Sequence, residues 1–74
     1  MSEDHPLIRI DLWKSDAIVL WEWLYNVDFE AIPIQHKAER QALFDLLARL
    51  EESMLEPTTE EIATAREEVA RDMP

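Results

Sequence analysis

Apolar positions are densest over residues 17–27, where AIVLWEWLYNV is interrupted only by Glu22 and Asn26. These two are four apart and Ser15 lies seven before Glu22, so a helix gathers all three into one narrow polar stripe. Ala17, Leu20, Trp21 and Leu24 then mark the opposite side, with Trp23 and Tyr25 on the flanks. Ile18, Val19, the tryptophans and Tyr25 are β-favouring, which makes a strand the competing reading. The length of the run and the spacing of its polar residues favour the helix. Ser15 or Asp16 is placed to cap the start of this helix, and Asn26 suits a left-handed stop at its end. A membrane span needs about 20 apolar residues, so the run is core rather than a membrane segment.

Upstream, Leu7–Leu12 reads LIRIDL, an imperfect alternation with Ile8, Ile10 and Leu12 on one face and Arg9 and Asp11 on the other. It is expected to be extended, and a single strand needs a hairpin or a second chain to pair its backbone. Downstream, residues 28–35 form a link in which Pro33 pushes Ile32 out of helical geometry. Phe29, Ile32 and Ile34 are apolar enough to fold back onto the core.

A second helix is expected from about His36 to near Leu55. Leu43, Leu46, Leu47, Leu50 and Met54 repeat at i, i+3, i+4, i+7 and i+11, with an Asp45/Arg49 pair on the exposed side and Pro57 ending the run. Thr58 and Glu61 then form a capping box that opens a third helix, with Ile62, Ala65, Val69 and Met73 on one face. The pattern predicts an all-α fold, a three-helix bundle with an extended N-terminal segment. The alternative is an α+β chain with an N-terminal β-hairpin and two helices. Either way residues 1–74 make a single small domain, with a loose tail at 1–6.

Composition narrows the chemistry. A 74-residue chain buries only about 60% of its unfolded surface, and with no cysteine it has no disulfide or thiolate metal site to reinforce it. Oligomerisation or a partner is therefore expected. Glycine is absent as well, which excludes glycine-built phosphate loops and dinucleotide fingerprints. Seventeen acids against seven bases give a net charge of −10, which opposes direct nucleic-acid or anionic-membrane binding and either attracts basic protein surfaces or simply keeps a small protein soluble. Met1–Asp11 has acids and a proline where a signal peptide carries a basic segment and an apolar run, so a cytoplasmic location is expected.

Candidate catalytic and metal residues do not assemble into a pattern. His5 and His36 are far apart, and His36 with Glu39 reads as a helix N-terminus rather than a carboxylate-bundle metal motif. Ser2, Ser15 and Ser53 have no histidine nearby in sequence and no glycine elbow. Paired glutamates at 51/52, 60/61 and 67/68 fall on polar helix faces. No enzyme activity, cofactor or metal is expected.

Surplus hydrophobicity is the remaining signal. Phe44, Ala48 and Leu55 stand away from the leucine stripe, and Val19 and Trp23 flank the polar stripe of the first helix. These five residues and Trp13 are the expected protein interface, unless the N-terminal segment and the 28–35 link cover them. The expectation is a non-enzymatic acidic module binding a basic protein, of the antitoxin or immunity-protein type. The rival expectations are a self-assembling homo-oligomer, such as a dimer with a structural role, and a nucleic-acid mimic.

Overall fold

The computed structural model describes residues 6–72. Three α-helices follow one another in the order α1 (Lys14–Asn26), α2 (Lys37–Ser53) and α3 (Thr59–Arg71), with a short 3-10 turn at Phe29–Ala31. No strand occurs among the described residues, and Pro6–Trp13 precedes α1 without regular structure. The fold is all-α. The expected loose tail at 1–6 and the helical position of Met73 lie, apart from Pro6, outside the described residues.

The apolar run is the hub. α1 packs against both α2 and α3. Its Trp21 and Leu24 meet Leu50 of α2 in the core, with Ala17, Leu20, Leu43, Leu46, Leu47, Met54 and Ile62 packed around them. Leu24 is 1% exposed. Burying a side chain of this size contributes roughly 1.5–3 kcal/mol, so these few residues dominate the stability of the fold. The fully buried hydrophobic set is thin, being completed by Ile18 and Ala65.

The link packs back onto the core through Phe29. Phe29 joins the core and its ring meets Phe44 of α2 at a centroid distance of 4.2 Å. Asp28 caps the 3-10 turn by accepting from the Glu30 amide at 3.0 Å. At the start of α3, Thr58 and Glu61 form the reciprocal capping box, with bonds of 3.1 and 2.9 Å. Such a box satisfies two amide donors that a bare helix end leaves without partners.

Several local expectations are corrected. α1 begins one residue before Ser15, with Trp13 at the N-cap and no side-chain cap. Ser15 is drawn instead into the seam with α3, where it hydrogen-bonds Glu68. Asn26 does not provide a left-handed stop, since no described residue has a positive φ. It stays helical and donates to the Glu22 carbonyl and carboxylate at 2.8 and 3.0 Å. Arg49 pairs with Glu52 at 3.5 Å rather than with Asp45, which accepts from Gln41. Finally, α2 stops at Ser53 because Met54 turns extended, so Leu55 lies in the connection and not on the helix.

Candidate functional site

The polar stripe of α1 is the first surprise of the surface. Two of its three residues form the seam with α3, Ser15 donating to Glu68 and Glu22 accepting from Arg66 at 2.6 Å, while Asn26 stays exposed. Ser15 is buried and Glu68 half-buried, so this contact is partly desolvated. Among the large apolar side chains of α1, Trp23 and Tyr25 are left exposed, at 47% and 60%.

The residues expected at an interface sit as follows. Trp13, Trp23, Phe44, Ala48 and Leu55 are exposed, and Val19 is half-buried. The 28–35 link covers Phe44 only in part, through Phe29. The N-terminal segment covers none of them fully and is itself the most exposed apolar stretch, with Ile8 at 92%. Leu7, Ile8 and Ile10 are therefore surface residues that the sequence reading did not single out. Their signal was the alternation of LIRIDL together with the lack of a second strand among the described residues to pair it.

Part of this apolar surface borders a cleft of about 710 Å³. Ile10 and Leu12 form one wall, and Leu50, Met54, Leu55 and Pro57 contribute to the others. Leu55 stands at its rim and is 92% exposed. Beside it Trp21 and Tyr25 stack at 5.1 Å with an 18° interplanar angle, so the core stacking continues outward to the half-open Tyr25 ring.

Electrostatically the surface is lopsided. Among the described residues the ion pairs are Arg49–Glu52 and Arg66–Glu22. Glu51, Glu56, Glu60 and Glu67 are exposed without a cation beside them. Such a surface carries a negative field that extends about a Debye length, near 8–10 Å at ordinary ionic strength.

His36 is used locally. Its Nδ1 accepts from the Ala38 amide at 3.0 Å, while Glu39 reaches back to the amides of Gln35 and His36. The two residues thus form a capping box, with both side chains committed to the start of α2. Among the described residues no group of three or more histidine, aspartate or glutamate side chains is placed to hold a metal ion. No helix among them is long and apolar enough to cross a membrane. Against known proteins, the chain matches no family model, no curated protein and no solved structure.

Proposed function

We propose that this chain is a non-enzymatic, acidic interaction module that binds a basic protein through aromatic groups on the outer faces of its helices. The observation that carries the reading is the exposure of Trp23 and Phe44 on ordered helices of a chain with net charge −10. A small domain gains stability by burying its large side chains, and these two are left at the surface even though the core is thin. Tryptophan and phenylalanine are effective interface anchors because each buries a large rigid area at low entropic cost. The unpaired carboxylates supply the steering, raising the encounter rate with a cationic surface and disfavouring acidic ones. Covering a basic toxin, as antitoxins and immunity proteins do, is a physiological role with these requirements.

Capture from cells with the full chain as bait tests the reading. The expected result is a stoichiometric basic protein, released as salt is raised, and not retained by a folded Trp23→Ala bait. A partner held equally by that bait at every ionic strength, or no stoichiometric partner at all, overturns it.

A further inference from the structure

We propose that residues 7–13 pair with the same residues of a second copy of this chain, as an antiparallel two-stranded ribbon centred on Ile10. Three observations converge on this segment. Among the described residues, no backbone hydrogen bond ties Leu7–Leu12 to the rest of the molecule. Both faces of the segment are open, since Leu7, Ile8, Ile10, Leu12 and Trp13 are all exposed, as are Arg9 and Asp11 between them. A stretch outside regular structure, with free backbone groups, apolar side chains and the alternation of a strand, is a template for strand addition.

The third observation is that the sequence complements itself. In an antiparallel ribbon centred on Ile10, each Arg9 faces the partner's Asp11, and each Asp11 the partner's Arg9. Ile8 then faces the partner's Leu12, Leu7 faces the partner's Trp13, and the two Ile10 side chains meet on the two-fold axis. Every cross-strand pair is apolar with apolar or positive with negative, the combinations that favour pairing.

Other registers lose this match. Centring on Arg9 or on Asp11 sets like charges against each other on the axis. A half-step shift sets Arg9 against Ile10 and Asp11 against Ile8. In-register parallel pairing places arginine beside arginine and aspartate beside aspartate. A two-fold, self-complementary contact of this kind closes at a dimer.

The ribbon also has a seat. Ile8, Ile10 and Leu12 share one face by the two-residue period of a strand, and Ile10 and Leu12 already line the cleft with Leu50, Met54, Leu55 and Pro57. Pairing brings the partner's Ile8 alongside Leu12, at the mouth of that cleft. The fully open Leu55 rim is then covered from the second copy.

Salt separates this contact from the binding of a basic partner. Two copies of a −10 chain repel at long range, so screening strengthens the dimer, whereas it weakens attraction to a cationic protein. The inference therefore stands or falls apart from the functional reading above.

Sedimentation equilibrium of the full chain over a concentration and salt series is the test, with circular dichroism to confirm folding of each variant. The expected result is a monomer–dimer equilibrium that shifts toward dimer as salt rises. Arg9→Asp alone and Asp11→Arg alone each place two like-charged pairs across the ribbon and weaken the dimer about tenfold or more. The double exchange Arg9→Asp with Asp11→Arg restores opposite charges in the same register and recovers the dimer. A chain that stays monomeric throughout, a dimer indifferent to the single reversals, or a double exchange that fails to rescue overturns the proposal.

Discussion

Ser15 of α1 donates its hydroxyl hydrogen to the carboxylate of Glu68 on α3, joining residues 53 apart in the chain. Because Ser15 is buried and Glu68 half-buried, removing the donor leaves a partly desolvated carboxylate without that partner. Ser15→Ala is expected to cost about 1–2 kcal/mol in denaturant unfolding. The Arg66–Glu22 pair on the same seam is more open, with the Arg66 side chain 59% exposed, so Arg66→Ala should cost under about 1 kcal/mol. A double-mutant cycle over Ser15 and Glu68 checks the first claim. Additive losses would mean that Ser15 contributes by packing alone.

Leu24 carries a different kind of weight. It is enclosed where α1 meets the leucine face of α2, and Leu24→Ala opens a cavity that the thin core has little means to fill. The expected loss is about 2–5 kcal/mol, comparable to the whole stability of many small domains. Thermal unfolding should show a variant that is largely unfolded or melts far below the parent. A small shift would mean that α2 and α3 hold together without α1 as their hub.

How much of this was readable beforehand depended on range. The leucine positions 43, 46, 47, 50 and 54 declared the buried face of α2 because helical spacing is a local property. Thr58 and Glu61 declared the start of α3 for the same reason. The partner of Ser15 was hidden, because Glu67 and Glu68 look alike in sequence and only the packing of α3 on α1 selects the second. Ser15 resembled a helix cap, and the packed chain used it for a tertiary bond. Leu55 was misplaced because periodicity runs on past a helix end, and nothing in the repeat marks the extended turn at Met54. Of the residues expected at an interface, Trp13, Trp23, Phe44, Ala48 and Leu55 are exposed and Val19 is half-buried. The openness of Leu7, Ile8 and Ile10 was not legible, because it depends on there being no other strand among the described residues to pair them.

Trp21 and Trp23, two residues apart, face opposite environments: 6% and 47% exposed. Trp21→Ala removes a core ring and its stacking on Tyr25, with an expected cost of about 3–5 kcal/mol. Trp23→Ala should change stability by less than about 1 kcal/mol, since an exposed site leaves no cavity behind. Acrylamide quenching of single-tryptophan variants that carry phenylalanine at the other two tryptophan positions, and so keep a core ring, offers an independent check, with the Trp23 ring quenched and the Trp21 ring protected. Equal destabilisation by the two substitutions would make Trp23 a core residue and remove the anchor from the proposed partner surface.

Trp13 allows stability and association to be pulled apart with one substitution. It holds the N-cap of α1 at φ −57° and ψ 136°, but its side chain offers no oxygen to the first-turn amides. Trp13→Asp supplies that acceptor and a negative charge at the positive end of the helix, while giving up a ring that is 47% exposed. At protein concentrations too low for dimerisation, the variant is expected to be more stable than the parent by about 0.5–1 kcal/mol. In the ribbon centred on Ile10, the same change replaces an apolar pair with the partner's Leu7 by a carboxylate facing leucine, so the dimer should weaken. Unfolding of the dilute protein and sedimentation of the concentrated protein then move in opposite directions. A variant stabilised in both measurements would keep the cap and exclude Trp13 from the paired strands.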